Sequence, residues 1–310
     1  MSTVGPGRAP DVEIIIPVHE ALSLVRDCVR SIQRFTTMPF RVLIVDDASC
    51  DATHERLRAL VAGDGRFRVH RNLQNLGFLK TCQYGFEQSS ADYIVLLNSD
   101  TVVTPGWLDR MVACAESSPW IAVVNPLSNE AANLSIRLAP GLNLTSMSRQ
   151  VAERSRRSYP DVVTGVGMCI MFRRRAIDLL GGFDPVYAPA YCEESDLCMR
   201  YTQAGLRVVA ADDAYVYHKG SASYGKEQMS VHYTRNREEF DRRWALPYQR
   251  DLAVYSRNDP LQYIREAMLR GTMRAEDAQP QLVGLVESHL DRLDTLEALA
   301  ASGDGELAAV

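Results

Sequence analysis

The stretch Tyr93-Ile-Val-Leu-Leu-Asn-Ser-Asp-Thr-Val-Val103 decides the fold. An unbroken apolar run stops abruptly at an amide, a hydroxyl and a carboxylate. A run this short reads as a buried strand, because a buried helix needs at least about ten residues. The same design occurs twice upstream. Residues 12–16 (VEIII) close at Pro17 and lead into Val18, His19 and Glu20, and residues 41–45 end at Asp46 and Asp47. Between these runs lie helical segments at 21–35, 52–62, 79–88 and 107–116, the first with apolar residues at 22, 25, 29 and 32 on one stripe. Short runs at 67–69 and 121–124 add two more strands. Strands alternating with helices predict an α/β fold, a mostly parallel sheet with helices on both faces. Right-handed crossovers put the strand C-termini on one edge, so the three polar clusters are expected to share it.

After Asn125 the pattern loosens. Residues 126–160 contain Asn, Ser, Pro and Gly, with a helix expected over 145–157. Strand-like runs follow at 162–164 and 169–172, a helix at 195–204, and strands at 207–210 and 215–217. From Val231 onward the chain reads as helical. A stripe of Leu282, Leu285, Val286, His289, Leu290, Leu293 and Leu296 can pack on the domain or pair two subunits as a homodimer. The expected organisation is a disordered N-terminus at 1–10, a main domain at 11–230 and a helical C-terminal extension at 231–310.

A length of 310 residues suits one large domain with an extension, and 24% charged residues is ordinary for a globular protein. The net charge of −5 argues against nucleic acid as a partner. Basic clusters at 154–157 and 173–175 read as solvated faces. Seven cysteines, an odd number with no C-x-x-C, read as reduced thiols in a cytoplasmic protein. The first ten residues contain no apolar targeting core, and no apolar run reaches the roughly 18 residues of a membrane span. Any membrane contact is therefore expected to be peripheral, at the inner face.

Three clusters and a lone histidine carry chemistry. Asn98, Ser99 and Asp100 at a strand end can hold a hard divalent cation, or simply make a turn. Asp51 can cap the helix after it, which leaves the adjacent carboxylates Asp46 and Asp47 unexplained unless one accepts from a ligand. In Tyr191-Cys-Glu-Glu-Ser-Asp-Leu-Cys-Met-Arg200, Asp196 and Arg200 form an i,i+4 ion pair, while Glu193 and Glu194 precede the helix. A general base is a carboxylate so placed. His218, at a later strand end, is structural or completes a metal site begun by Asp100.

The order of segments is more telling than any one of them. "IIIPVHE", "VDDASCDAT", "NLGFLKTCQYG", "YIVLLNSDT", "TGVGMCIMFRR", "GGFDPVYAPAYCEESDLCMRYTQAGLRV" and "VYHKGS" together resemble the family-2 glycosyltransferases. The likeness spans about Val12 to Ser221 and is nearest to a rhamnosyltransferase-like branch with an LN-x-D motif. It implies a GT-A fold, a Rossmann-like nucleotide-binding sheet with a nucleotide-sugar-binding half at 11–125 and an acceptor and catalytic half at 126–230. The resemblance assigns Pro17, Val18, His19 and Asp47 to the nucleoside and Lys80 to the donor. Asn98, Ser99 and Asp100 match the family's D-x-D, with Asp100 binding Mn²⁺ or Mg²⁺ beside His218. Glu194 matches the catalytic base, and Glu193 would help hold the acceptor. Asn98 in place of the first aspartate removes one charge at the metal, and Glu194 is one methylene longer than the usual aspartate.

The implied reaction is inverting transfer from a UDP- or dTDP-linked sugar to a hydroxyl of a glycan, lipid-linked or small-molecule acceptor, as in polysaccharide biosynthesis. Two other readings stand beside it. A nucleotidyltransferase would want a glycine-rich basic phosphate loop, and Pro17-Val-His-Glu-Ala21 has neither glycine nor Lys/Arg. A silent nucleotide-sugar-binding module would explain Asn98 but not the retention of Asp100, Glu194 and His218.

Overall fold

A computed structural model of the chain describes residues 9–139, 141–220 and 226–278. The chain begins β1 (Val12–Val18), α1 (Leu22–Phe35), β2 (Arg41–Asp46), α2 (Asp51–Val61), β3 (Phe67–Arg71), α3 (Phe78–Gln88) and β4 (Tyr93–Leu97). It continues with β5 (Thr101–Val103), α4 (Trp107–Glu116), β6 (Ile121–Leu127), α5 (Leu144–Arg154), β7 (Cys169–Arg173), α6 (Arg174–Leu180), α7 (Glu193–Gln203) and β8 (Arg207–His218). The last two elements are α8 (Lys226–Arg257) and α9 (Gln262–Ala278).

The strands form one sheet in the order β3-β2-β1-β4-β7-β6-β8-β5. From β3 to β4 all neighbours are parallel, as are β6 and β8. β7 runs antiparallel between β4 and β6, and β5 pairs antiparallel with β8. Ile14, Ile16, Val42, Ile44, Val95 and Leu97 are fully buried, as strands covered by helices on both faces require. Each such side chain removed from water contributes about 1.5–3 kcal/mol before ordering costs. In α1 the buried residues Val25, Cys28, Val29 and Ile32 fall on one stripe against the sheet. Six of the seven cysteines are buried, none is bridged, and Cys50 is exposed.

Several expectations change in detail. Residues 162–164 do not form a strand; Asp161 makes only an isolated bridge to Val209. The runs at 207–210 and 215–217 are one strand, β8, whose register against β6 shifts between Pro126 and Leu127. The helix expected at 145–157 ends at Arg154, and the one expected from Ser195 starts at Glu193. Asp51 is the first residue of α2 rather than its cap, which is Cys50. β5 was not apparent as a strand because three residues carry no usable periodicity. α8 begins before the boundary expected at 231, and the stripe from Leu282 to Leu296 lies outside the described residues.

Candidate active site

The parallel strands β1, β2 and β4 end side by side, so residues 19–20, 46–47 and 98–100 occupy one edge of the sheet. His19 Nδ1 lies 2.9 Å from the Asp47 carbonyl oxygen and 3.3 Å from Asn75 Nδ2. Glu20 and Ala21 both have left-handed backbones, at φ 57° and 52°. That conformation costs energy in non-glycine residues, and here hydrogen bonds offset it. The Glu20 amide donates to Ser49 Oγ (2.8 Å), and its carboxylate accepts from the Cys50 amide (2.6 Å) and Thr53 Oγ1 (2.7 Å). Glu20, in the loop after β1, therefore braces the start of α2. The bond from Thr53 and then that from Cys50 hold its carboxyl below the ordinary range.

The adjacent carboxylates Asp46 and Asp47 have separate tasks. Asp46 accepts from the Ser49 amide (2.9 Å) and lies 2.7 Å from His54 Nδ1. Asp47 accepts from Asn72 Nδ2 (2.8 Å) and from the Leu76 and Gly77 amides (both 2.9 Å). A carboxylate has about four lone-pair sites, so tying down the 72–77 loop uses most of those on Asp47. The loop then meets the far side of the site. A Cβ on Gly77 (φ 81°) would lie 2.6 Å from Pro189 Cβ, and the Leu79 amide donates to the Pro189 carbonyl (2.8 Å). Lys80, the next residue, is exposed at this junction.

At the tip of β4 the chain turns directly into β5, which sets Thr101 opposite His218 in β8. The Asp100 carbonyl accepts from the Lys219 amide (2.9 Å), and Asp100 Oδ2 lies 3.4 Å from His218 Nε2. Asn129 grips the His218 backbone on both sides, donating to its carbonyl (2.8 Å) and accepting from its amide (2.7 Å). The imidazole Nδ1 rests 3.2 Å from the Glu130 carbonyl oxygen. Burial pushes the His218 pKa down, but hydrogen bonding and charge from Asp100 outweigh it and the net shift is upward.

Asp100 Oδ1 is buried with no hydrogen-bond partner. Such an oxygen is costly unless something positive meets it. One hard oxygen with an imidazole nitrogen alongside fits Mg²⁺ or Mn²⁺, which commonly take one or two protein ligands and complete their shell with phosphate oxygens and water. Among the described residues no group of three or more His, Cys, Asp or Glu side chains converges, so the protein's share would be these two. Asn98 and Ser99 are half-buried beside them.

The second acidic cluster approaches from α7. Tyr191 (φ 79°) and Cys192 (φ 70°) turn the chain through two left-handed residues, and the helix opens with Glu193 and Glu194. The Asn98 amide donates to the Met168 carbonyl (2.9 Å), and the preceding Gly167 has room for a Cβ only 3.9 Å from Glu194 Cδ. The segment 167–168 thus joins the β4 tip to Glu194. The Gly165 amide donates to Cys198 Sγ (3.2 Å), which fixes this segment against α7. Glu193 is buried and its Oε2 has no partner. Burial, and then the charge of Glu194, push the Glu193 pKa well up; burial also raises Glu194, although part of its surface stays open.

A carboxyl that keeps its proton to higher pH in the folded chain than in the unfolded one supports the fold most at low pH. For Glu193 that support is fully present below its ordinary value of 4.5 and is lost as pH rises toward the raised folded value. Glu193→Gln is therefore expected to melt higher than the parent near pH 8, by about 1–3 kcal/mol of stability. The advantage should vanish near pH 4, as thermal melts at both pH values would show.

The structure gathers Asn98, Ser99, Asp100 and His218 at one point and links Glu194 to them through residues 167–168. Pro17, Val18 and His19 lie at the end of β1 next to Asp47, and Lys80 lies at the junction with Pro189. Asp196 is structural, as expected: its buried carboxylate pairs with Arg200 (2.8 Å) and accepts from Trp244 Nε1 (2.8 Å). Sequence reasoning placed Glu20 in a polar cluster without a role, and missed Asn72, Asn129 and Gly167. The density of Asn and Gly in otherwise unpatterned segments was the signal available for the last three.

A family model described as glycosyl transferase family 2 matches residues 13–181. The uncharacterized protein y4gI of Sinorhizobium fredii (strain NBRC 101917 / NGR234) is 29% identical over 258 residues, 76% of this chain and 28% of that protein. The N-acetylglucosaminyl-diphospho-decaprenol L-rhamnosyltransferase of Mycobacterium tuberculosis (strain CDC 1551 / Oshkosh) is 26% identical over 227 residues, 64% of this chain and 73% of that protein. This similarity does not single out a rhamnosyltransferase branch. The chain spans 28% to 36% of the length of other curated relatives it matches. Among solved structures, GalNAc-T7 with UDP, GalNAc and Mn²⁺ superposes with a TM-score of 0.61 at 15% identity, over 78% of this chain and 49% of that one. At that identity the likeness concerns the fold.

Proposed function

We propose, from the premise that this chain belongs to glycosyl transferase family 2 and has the GT-A fold, that it transfers a sugar from a nucleoside-diphosphate sugar to an acceptor hydroxyl with inversion. One observation carries this reading: a buried carboxylate oxygen without a partner, Asp100 Oδ1, stands on the same edge as a carboxyl of raised pKa, Glu194, and residues 167–168 connect them. The first suits a cation-bound diphosphate and the second a proton acceptor.

In the proposed reaction, Glu194 accepts the proton of the acceptor hydroxyl. The acceptor oxygen forms the new bond to the anomeric carbon from the opposite face as the carbon–oxygen bond to the diphosphate breaks. Its electron pair leaves with the diphosphate. Asp100 and His218 would hold the divalent cation, which when bound supplies charge stabilisation to the leaving group worth several kcal/mol, of order 10²–10⁴ in rate. The end of β1 and the 72–77 loop tied by Asp47 would receive the nucleoside, and exposed Lys80 would face the donor. Glu193 would help hold the acceptor while its burial keeps it protonated to higher pH than usual.

The proposed acceptor is a glycan or glycoconjugate, and the proposed donor a UDP- or dTDP-linked sugar. No helix among the described residues is long and apolar enough to cross a membrane; the proposed setting is cytoplasmic with peripheral membrane contact. The decisive experiment incubates the protein with a panel of nucleotide sugars in Mn²⁺, Mg²⁺ or EDTA. Nucleoside diphosphate released from one donor class and abolished by EDTA supports the reading. In a parallel arm with added pyrophosphate, conversion of the donor to nucleoside triphosphate and sugar 1-phosphate would establish a nucleotidyltransferase instead, and no turnover of any donor would leave a binding module.

A further inference from the structure

The backbone before Glu193 is irregular, yet every carbonyl from 187 to 191 has a donor from another element. Asn236 Nδ2, on α8, donates to the carbonyls of Tyr187 (2.6 Å), Ala190 (2.7 Å) and Tyr191 (3.1 Å). Arg235 donates to the Ala188 carbonyl, and the Leu79 amide takes that of Pro189. The orientation of the Asn236 amide is itself set, because its Oδ1 accepts from Arg235 Nε (2.9 Å) and Nη2 (2.8 Å). A guanidinium only donates, so the nitrogen must face the carbonyls. Asn236 is almost wholly buried, at 1% exposure.

We propose that Asn236, oriented by Arg235, is a positioning residue for the transfer, holding the turn at Tyr191 and Cys192 so that Glu194 stands where it can take the acceptor's proton. This rests on the glycosyltransfer reading above. The two left-handed residues explain the need. Non-glycine residues at φ 70–79° persist only where surrounding bonds over-determine them, and this clamp supplies those bonds. The C-terminal extension then belongs to the catalytic machinery, although α8 and Glu194 both lie beyond the part of the chain that the family model matches.

Removing the clamp lets the turn relax, the carboxyl pair drift and water reach it. The ionisable groups that feel the charge of that pair are the thiols Cys82 on α3 and Cys192 and Cys198 at α7; Asp47 lies within reach of Cys82, Arg237 and Asp241 within reach of Cys192, and Asp196 and Arg200 within reach of Cys198. Burial holds the three thiols far above neutral pH, so they do not titrate with the carboxyls.

The test compares the parent with Asn236→Ala and, as a gentler change at an exposed position, Arg235→Ala. For Asn236→Ala, transfer kcat is expected to fall about 10–100-fold, the scale of a misplaced catalytic group, with donor affinity unchanged. The acid limb of its pH profile should move to lower pH, and amide hydrogen exchange should quicken at 187–194 alone. Arg235→Ala should change in the same direction by less. A folded variant with the parent's kcat and acid limb, or exchange quickened evenly over the whole chain, would overturn the proposal. Should the parent release nucleoside diphosphate from no donor, the transferase reading fails, while the exchange result still judges the clamp.

Discussion

Glu194→Gln is expected to bind the nucleotide sugar as the parent does and to transfer almost none of it. Glutamine keeps the shape and the hydrogen-bonding reach of the side chain but cannot accept a proton from a hydroxyl. General-base catalysis is worth about 10²–10⁴-fold, so the transfer rate should drop by that factor. Calorimetric binding of the donor in Mn²⁺ should stay as it was. The parent's own rate should climb with pH as Glu194 ionises, and because burial raises that carboxyl, the climb should come above the ordinary carboxylate range. The variant should lack that climb. A Glu194→Gln enzyme turning over at the parent's rate would move the base elsewhere, with Glu193 the first group to test.

The second large effect is expected at Asp100. Asp100→Asn preserves the size of the side chain beside His218 and removes the charge that a cation and a diphosphate would share. Loss of a contribution of several kcal/mol corresponds to a rate reduced about 10²–10⁴-fold. Donor affinity should fall as well, and its dependence on added Mn²⁺ should flatten in a calorimetric titration. That pattern differs from the Glu194 variant, which keeps affinity. If Asp100→Asn binds donor with undiminished affinity and responds to Mn²⁺ like the parent, the cation is held by other groups.

The elements that sequence made legible are those whose signal is local. β1, β2 and β4 announce themselves through apolar runs cut short by polar residues, and their shared edge follows from crossover handedness. The position of β7 between β4 and β6 was not legible, because a strand's periodicity says nothing of its neighbours or its direction. Glu193 and Glu194 read as loop residues because acidic groups before a helix look alike whether they precede it or begin it. What separates the cases is the left-handed Cys192, which no residue preference foretells. Asp47 looked free to meet a ligand because its partners, Asn72, Leu76 and Gly77, lie 25 to 30 residues away. Asn236 was invisible for the same reason, at 45 to 49 residues from the carbonyls it holds.

Six enclosed thiols beside the exposed Cys50 give the molecule a gauge of its own integrity. An aromatic disulfide reagent should titrate one equivalent from the native chain and all seven after denaturation. Three of the enclosed thiols, Cys82, Cys192 and Cys198, neighbour the Glu193–Glu194 pair. Loosening confined to that region should therefore add no more than three fast equivalents, whereas global collapse releases six. A single colorimetric reading can thus separate a variant that has lost its chemistry from one that has lost its shape.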